Sequence, residues 1–437
     1  FTSYHSDNEY NLDYEDFFFR GGFSLQGRQV FSQSLDEGNA LVEVNTGKGR
    51  RFIARGKSFL FEDSVVVGRK AGITVFHGRD SITHPSVKML YYPNQKRLTA
   101  MKEKDGFSLR PFNASHYKMT IEADMIDWDL NSDSLNISIL NAKGLLPAVF
   151  ESKDYFNRER LEELTGVYSF NPVVVVFSYG SKNNTREFYV DDMVRDLKLN
   201  ENAVTASMQM LWYRDFIDYD PAYRKVTIKD KLIHYVRSQR KRIDYDELLV
   251  NSLSRNKPNA TLHLESNEMT IRGIDKFFIS ETQDIYIMPF DSAITLQSNR
   301  DFTFKGQLFA GNFEFGGRNF TFRYDSFLVD MGNIDSIKFK IEGDDFRKRE
   351  VDNKLVSVDL FSGGDLDAST SGTLYINKTD NKSGNMIYPE YPIFDAERGA
   401  VVYFDKKDVL KGAYDKSMYF YIPPFGIDSL SAEDPAA

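Results

Sequence analysis

Two carboxylates in the N-terminal half are the residues best spaced for acid-base chemistry. Within Glu122-Ala-Asp-Met-Ile-Asp-Trp-Asp129, Asp127 and Asp129 lie two residues apart. On a strand they share one face, with Trp128 on the other, because side chains alternate. Paired carboxylates beside aromatic rings cleave glycosidic bonds, so a carbohydrate-active β-helix enzyme is one hypothesis. Alternation on the outer face of a half-solvated sheet produces the same spacing, which favours a structural interpretation.

No other pattern in the sequence has the residues of a catalytic, cofactor or metal site. Cysteine is absent, which excludes disulfides, thiolate catalysis and cysteine-ligated metals. Gly363-Gly-Asp-Leu-Asp367 offers fewer ligands than calcium requires, and zinc-peptidase, phosphate-loop and nucleophile-elbow motifs are missing. We therefore predict no catalytic, metal or cofactor-binding residues and no cofactor. Six histidines lack metal-ligand spacing, namely His5, His77, His84, His116, His234 and His263.

The overall charge argues against nucleic acid as a partner. The net charge is -9 and the pI is near 5.4, whereas phosphate binding needs a dominant basic face. The strongest basic cluster is Arg237-Ser-Gln-Arg-Lys-Arg242. It suits a phosphate or an anionic headgroup, or alternatively the solvated face of a helix partly balanced by Asp244, Asp246 and Glu247. The chain has no apolar run long enough for a transmembrane segment.

Two blocks of the chain show the pattern of short β-strands. The sequence has 36 Phe and 24 Tyr but only 2 Trp, a supply that favours strands. Period-two alternation dominates from Phe23 to about Leu140 and again from about Ala260 to Pro423. Gly-punctuated apolar pairs between Asp301 and Asp330 are the clearest instance: Phe302 and Phe304, Phe313 and Phe315, Phe320 and Phe322, Phe327 and Val329. Such short strands must stack or pair into one continuous core.

The second block resembles a known repeat. Phe302-Thr-Phe-Lys-Gly-Gln-Leu-Phe-Ala-Gly-Asn-Phe-Glu-Phe, followed by Phe322-Arg-Tyr-Asp-Ser-Phe-Leu-Val-Asp, is similar to the lipopolysaccharide-transport (OstA-like) β-jelly rolls. The resemblance covers about a tenth of the chain and implies short strands stacked into a solenoid. A plain antiparallel sandwich has similar sequences. We predict a mainly β fold, an elongated β-solenoid or stacked jelly roll.

The segment between the blocks is predicted to be rich in helix. Expected are a capped helix from Asn157 that stops at Gly166, an apolar strand over Val173 to Tyr179, helices from Asp191, Asn200, Lys231 and Tyr245, and a hairpin around Asp220-Pro221. Residues 188 to 228 resemble a winged-helix domain. In that family the helix before the wing often enters a DNA groove. Here it has no Lys or Arg before Arg214, so a structural or protein-docking module is the favoured interpretation.

One repeated triplet bears on the compartment. Asp, Ser and a small or aliphatic residue resemble the acceptor site of periplasmic O-glycosylation in some Gram-negative bacteria; Asp-Ser is also a favourable turn pair. This resemblance favours an extracytoplasmic location, in the periplasm or at the cell surface. The triplets begin at Asp63, Asp80, Asp133, Asp291, Asp335 and Asp428.

These observations predict three segments and a non-enzymatic function. The segments are an N-terminal β block over 1–150, an α-rich winged-helix-like insertion over 151–258 and a C-terminal β block over 259–437. Because the chain begins at Phe1, we expect it to be a piece of a longer protein. The leading hypothesis is a structural or binding component of the bacterial cell envelope. It would contact other macromolecules, such as envelope proteins, through a long β surface and the inserted module. The alternatives are a lipid or glycan carrier with an apolar groove, and the carbohydrate-active enzyme.

Overall fold

The computed structural model describes residues 2–3, 8–10, 16–26, 29–32, 40–62, 64–103, 109–140, 146–164, 169–340, 355–358, 370–403 and 419–430. Strands form 50% of it and helices 16%, with a large antiparallel sheet, which confirms the predicted mainly β class. The chain divides into two compact units. Unit 1 comprises Phe1–Ile243 with Leu253–Met269, and unit 2 comprises Asp244–Ser252 with Thr270–Ala437.

The β part of unit 1 alternates buried and exposed residues along most of its strands. Its strands before the helices are β1 (Thr2–Ser3), β2 (Glu9–Tyr10), β3 (Phe17–Arg20), β4 (Phe23–Gln26), β5 (Gln29–Ser32), β6 (Ala40–Thr46), β7 (Gly49–Gly56), β8 (Ser58–Phe61), β9 (Val66–His77), β10 (Asp80–Tyr92), β11 (Arg97–Met101), β12 (Phe112–Ala114), β13 (Met119–Glu122), β14 (Met125–Asp129), β15 (Ser134–Ser138) and β16 (Ala148–Ser152).

The sheet of unit 1 has two branches that share β9 and β10. In one branch β8 pairs with the first part of β9, and β11 with the last part of β10. In the other, β7 pairs with the later part of β9, and β12 with the first part of β10. Register shifts between His84 and Val87 and between Val87 and Met89 mark the change. Both long strands therefore turn a corner at bulges, as strands that pass from one sheet layer to another do.

Aromatic rings from the two branches meet in the core of unit 1. Phe19 on β3 lies 5.0 Å from Phe61 on β8, and Phe52 on β7 lies 5.2 Å from Tyr91 on β10, measured between ring centroids. All four side chains are buried. Edge-to-face ring pairs at this distance contribute stability in addition to that from their buried area. These contacts therefore help to hold the two branches of the sheet together.

A helical module follows β16 within unit 1. Its elements are α1 (Arg158–Glu163), α2 (Pro172–Lys182), β17 (Glu187–Tyr189), α3 (Val190–Leu197), α4 (Glu201–Tyr213), β18 (Ile217–Asp220), β19 (Lys225–Ile228) and α5 (Asp230–Gln239). The strands form a sheet in the order β17-β19-β18. Asn157 caps α1 and Asn200 caps α4, as predicted, each side chain accepting a backbone N–H.

Two of the predicted elements of this segment are wrong. Residues Val173 to Tyr179 belong to α2, not to a strand, because Asn171 caps the helix and Pro172 starts it. Val173, Val176 and Tyr179 are buried at helical spacing, so packing overrides the β preference of the valines. No helix begins at Tyr245; residues 244 to 248 are irregular and lead into β20 (Leu249–Ser252), which belongs to unit 2.

The remaining strands lie mostly in unit 2. They are β21 (Ala260–His263, in unit 1), β22 (Glu268–Arg272, across the boundary), β23 (Phe277–Ser280), β24 (Ile285–Pro289), β25 (Ala293–Leu296), β26 (Phe302–Ala310), β27 (Phe313–Arg323), β28 (Leu328–Lys340), β29 (Leu355–Val358), β30 (Thr370–Tyr375), β31 (Ile393–Ala396), β32 (Ala400–Tyr403), β33 (Tyr419–Ile422) and β34 (Phe425–Ile427).

The apolar pairs that the sequence indicates form part of the core of unit 2. All eight side chains predicted to face inward between Phe302 and Val329 are buried. The long strands β26, β27 and β28 also bend at register shifts. At the bend in β27, a Cβ atom on Gly317 would lie 2.2 Å from the carbonyl oxygen of Asn333, so only glycine permits this approach.

Several predicted features lie outside the described residues, namely Gly166, His5, Asp63 and the acidic segment Gly363 to Asp367. Within the described residues, the helices are all too short or too polar to cross a membrane.

Candidate anion-binding groove

Two adjacent cations mark the corner of β9. The strand alternates buried and half-buried residues except at Arg69 and Lys70, which are both exposed. Lys70 has a left-handed backbone, with φ of 52°, and the two residues stand opposite the single residue Lys88 of β10. A bulge of this kind turns two consecutive side chains toward solvent instead of one. The sequence -Gly68-Arg-Lys-Ala71- therefore presents both charges on the outside of the sheet.

The neighbouring strands bend at the same level and add two more cations. Only Lys57 separates β7 from β8, and Arg55 is the last residue but one of β7. Arg55 and Lys57 are exposed. Beneath the corner, the ring of Phe59 packs so closely that a Cβ atom on Gly68 would lie 2.7 Å from its Cε1. The bend therefore requires a small residue at Gly68 on the buried side of the sheet, while the charged side chains lie on its exposed side.

These four cations line a groove of about 1100 Å³. The opposite wall includes Tyr219, Asp220 and Pro221 at the tip of the β18–β19 hairpin. Four cations face two carboxylates in the lining, those of Glu103 and Asp220. The groove is therefore positive on a chain whose net charge is -9, and its field favours anions.

Three of the four cations of the groove have no carboxylate partner within the described residues. Asp220 is occupied as a turn residue, since its Oδ1 accepts hydrogen bonds from the N–H groups of Ala222, at 2.9 Å, and Tyr223, at 3.2 Å. Among the described carboxylates, none forms an ion pair with Arg55, Lys57 or Arg69. An anion can therefore reach the exposed side chains of Arg55, Lys57 and Arg69 without displacing a described carboxylate.

Arg110 fixes the hairpin that forms the far wall. Its side chain is 6% exposed, and Nη1 and Nη2 each lie 3.0 Å from Oδ1 of Asp218. It also forms an ion pair with Asp215, which Lys229 contacts at 2.6 Å. Charge-assisted bonds of this kind are stronger than neutral ones. This ion cluster holds Asp218, on β18 of the hairpin, against Arg110.

His84 forms a hydrogen bond with the backbone of Arg110. Its Nε2 donates to the carbonyl oxygen of Arg110 at 2.8 Å, and its Nδ1 accepts the N–H of Ser86 at 3.1 Å. Burial, with the nearby charges of Lys102 and Arg110, lowers the pKa of His84 to about 4. The ring is thus neutral near pH 7, as these two partners require.

The predicted acid pair does not form a catalytic arrangement. Trp128 is buried and its neighbours Asp127 and Asp129 face the other way, as alternation predicts. Asp127 is bound by Arg97 through two hydrogen bonds of 3.0 and 2.8 Å and by Thr99 at 2.9 Å. Asp129 accepts the N–H of Asn131 in a turn. Both carboxylates are engaged on an outer strand face, whereas glycoside cleavage needs two facing the sugar.

The structure brings together two of the histidines. The rings of His77 and His116 are 5.9 Å apart, and His116 Nδ1 lies 2.9 Å from Asp80. Burial lowers the pKa of His77. The described residues contain no group of three or more His, Cys, Asp or Glu side chains placed to hold a metal ion. These contacts join the turn after β9 to the turn before β13.

The basic run and the three acids that follow it have separate contacts in the structure. Arg240 lies over the ring of Phe177 at 5.3 Å. The three carboxylates that follow the basic run belong to unit 2 and accept hydrogen bonds from other groups of that unit. Asp244 accepts the N–H of Ser383 at 3.0 Å, Asp246 the hydroxyl of Tyr324 at 2.8 Å, and Glu247 the N–H of Glu281 at 2.7 Å.

The groove was not predicted from the sequence. Arg55 and Lys57 are 12 or more residues from Arg69 and Lys70, so no single window shows a cluster. One signal was present, because two adjacent charges between Gly68 and Gly72 interrupt the alternation of an otherwise regular strand, which is typical of a bulge. Comparison of the chain with protein-family models, curated proteins and solved structures found no match.

Proposed function

We propose that this chain is a non-enzymatic binding scaffold of the bacterial cell envelope, and that the groove at the corner of β9 holds an anionic polymer. The observation that carries the proposal is the convergence of Arg55, Lys57, Arg69 and Lys70 on one open groove. An extended acidic chain, such as an envelope polysaccharide, fits both the charge and the opening.

The interior of unit 2 favours a scaffold over a lipid carrier. A carrier needs an apolar groove lined by the inward phenylalanines, but these rings contact one another. Phe302 lies 4.9 Å from Phe322, and Phe315 lies 4.8 Å from Phe394. Rings at these distances fill space as in an ordinary core.

The helical module is proposed to be winged-helix-like in its topology. Helix α2, strand β17, helices α3 and α4 and the β18–β19 hairpin follow one another in the order of that family. The helix before the hairpin, α4, exposes Glu201, Asn202 and Gln209 and has no cation until Arg214. Because α4 has no cations to contact phosphates, the module is proposed to bind a protein or to shape the groove, and not to bind DNA.

Each of the two units is proposed to contain a jelly roll of the OstA-like kind. Long strands shared by two branches occur in both units, at β9 and β10 and at β26, β27 and β28. Strands that bend from one layer to the next build a jelly roll without the parallel coils of a solenoid. An extracytoplasmic location accords with this architecture and with the exposed Ser292 of one Asp-Ser triplet.

Cell fractionation tests the proposal. The native cells would be separated into cytosol and envelope, and the envelope washed with increasing salt. We expect the protein in the envelope, released by salt, and the variant Lys57→Glu with Arg69→Glu released at lower salt because its groove has lost its positive charge. Recovery of the protein in the cytosol, or identical release of both forms, would refute the proposal.

A further inference from the structure

A second cavity of unit 1 lies between the sheet and the helical module. Its volume is about 460 Å³, within the range of small-ligand sites. Residues of β13 and β16 form one side, and α1, α4 and α5 form the other. Apolar side chains, including Leu109, Val149 and Phe216, make up part of the wall. This cleft is distinct from the groove, and the inference from it does not depend on the proposed function.

A buried carboxylate organises the cations of the cleft. Glu151 has a side chain 8% exposed, with Lys231 Nζ at 3.0 Å from Oε1 and Arg160 bonded to Oε2. Burial alone would raise its pKa, but the charges of Lys231 and Arg160 hold the pKa below its ordinary value. One carboxylate therefore carries two cations, and the group has a net charge of +1.

Arg160 and Lys231 have more hydrogen-bond donors than their bonds to Glu151 use. An arginine has five N–H donors and a lysine three, and the bonds to Glu151 use one from Arg160 and one from Lys231. Arg214, at the end of α4, adds a third cation, and no described carboxylate forms an ion pair with it. Glu122, the other acid of the lining, is bound by Lys102 at 3.1 Å.

We propose that this cleft binds a small anion with an apolar body, its carboxylate or phosphate held by Arg214, Arg160 and Lys231. The apolar wall beside Phe216 receives the body of the ligand. Glu151 is a positioning residue, because it orients Arg160 and Lys231 and is not itself a group that binds the anion. A neutral ligand forms no charge-assisted hydrogen bonds with these three cations and should therefore bind more weakly than an anion.

Calorimetric titration of the full chain tests this proposal. The probes are phenyl phosphate and benzoate, with phenol as the neutral analogue. We expect saturable binding of at least one anion and none of phenol; which anion binds tells phosphate from carboxylate recognition. The variant Arg214→Gln should weaken binding about tenfold, and Arg237→Gln, on α5 outside the cleft, should leave it unchanged.

Three results would overturn the proposal: binding of neither anion, equal binding of phenol, or equal affinity in Arg214→Gln and the unmutated chain. Arg214 is exposed, so its replacement should not affect folding. Matching thermal unfolding curves of the two variants without ligand would verify that a loss of affinity arises in the cleft.

Discussion

Arg110 and Asp218 join the sheet of unit 1 to the hairpin of its helical module, with two guanidinium nitrogens each 3.0 Å from one carboxylate oxygen. The arginine is buried, whereas Asp218 is 57% exposed. A planar guanidinium holds a carboxylate in a fixed orientation. The hairpin that closes the groove is therefore held by charge as well as by packing.

The first prediction concerns this contact. Arg110→Met keeps most of the apolar side chain but leaves Asp215 and Asp218 without their guanidinium, so we expect a loss of about 1–3 kcal/mol in the free energy of unfolding. Urea denaturation measures it. Arg186→Met serves as the control, since Arg186 pairs with Asp230 on the open surface, where the two side chains are 61% and 90% exposed. Equal stability of both variants would contradict the anchoring role of Arg110.

The second prediction is a pH dependence of stability caused by His84. Its folded pKa of about 4 lies below the ordinary value of 6.5, so between these pH values the unfolded chain binds a proton that the folded chain does not. Stability should be complete above pH 6.5 and fall toward pH 4, by up to about 1.4 kcal/mol per pH unit. Urea midpoints measured across this range in His84→Gln should show a shallower decline. An unchanged decline would mean that other groups cause the dependence.

The third prediction concerns the bend beneath the groove. In Gly68→Ala the new Cβ atom meets the ring of Phe59, so we expect a loss of about 1–3 kcal/mol from overpacking. Gly47→Ala is the control, because a Cβ atom there has no heavy atom within 4 Å. Thermal unfolding distinguishes the two. If Gly68→Ala were as stable as the control, the close contact with Phe59 would not be what shapes the corner.

The strands and most helices could be predicted because their signals are local. The helix α4 follows its cap at Asn200, and the pairs from Phe302 to Val329 are buried as alternation requires. The error at Val173 shows the limit of composition: four valines indicated a strand, while Asn171 and Pro172 already marked a helix start. The spacing of the buried residues was the better signal.

The candidate site could not be predicted because it depends on contacts between distant segments. Lys57 and Arg69 meet only after β8 pairs with β9, where Ser58 stands opposite Arg69. The acids after the basic run also have partners that are distant in the sequence: Asp244 binds Ser383, 139 residues away. Proximity in the sequence predicts which charges lie close together only within one helix or strand. Helix α5 ends at Gln239, before these acids.

The fourth prediction tests the compartment through two serines of the Asp-Ser triplets. Ser292 is exposed in a turn, whereas the hydroxyl of Ser429 donates to the carbonyl oxygen of Pro389 at 2.8 Å. We expect peptide mass spectrometry of protein from native cells to find a glycan on Ser292 and none on Ser429. The same chain produced in a cytoplasm should carry neither. An unmodified Ser292 in the native protein would remove this support for an extracytoplasmic location.

Binding to dextran sulfate, a polyanion, tests the groove most directly. The affinity of the full chain would be measured for three forms: the unmutated chain, Lys57→Glu with Arg69→Glu in the groove, and Arg237→Glu with Arg242→Glu in the basic run, which changes the charge equally. We predict salt-dependent binding that falls at least about tenfold in the groove variant and stays near the original value in the other. Equal loss in both variants, or loss in the basic-run variant alone, would contradict the assignment of the groove.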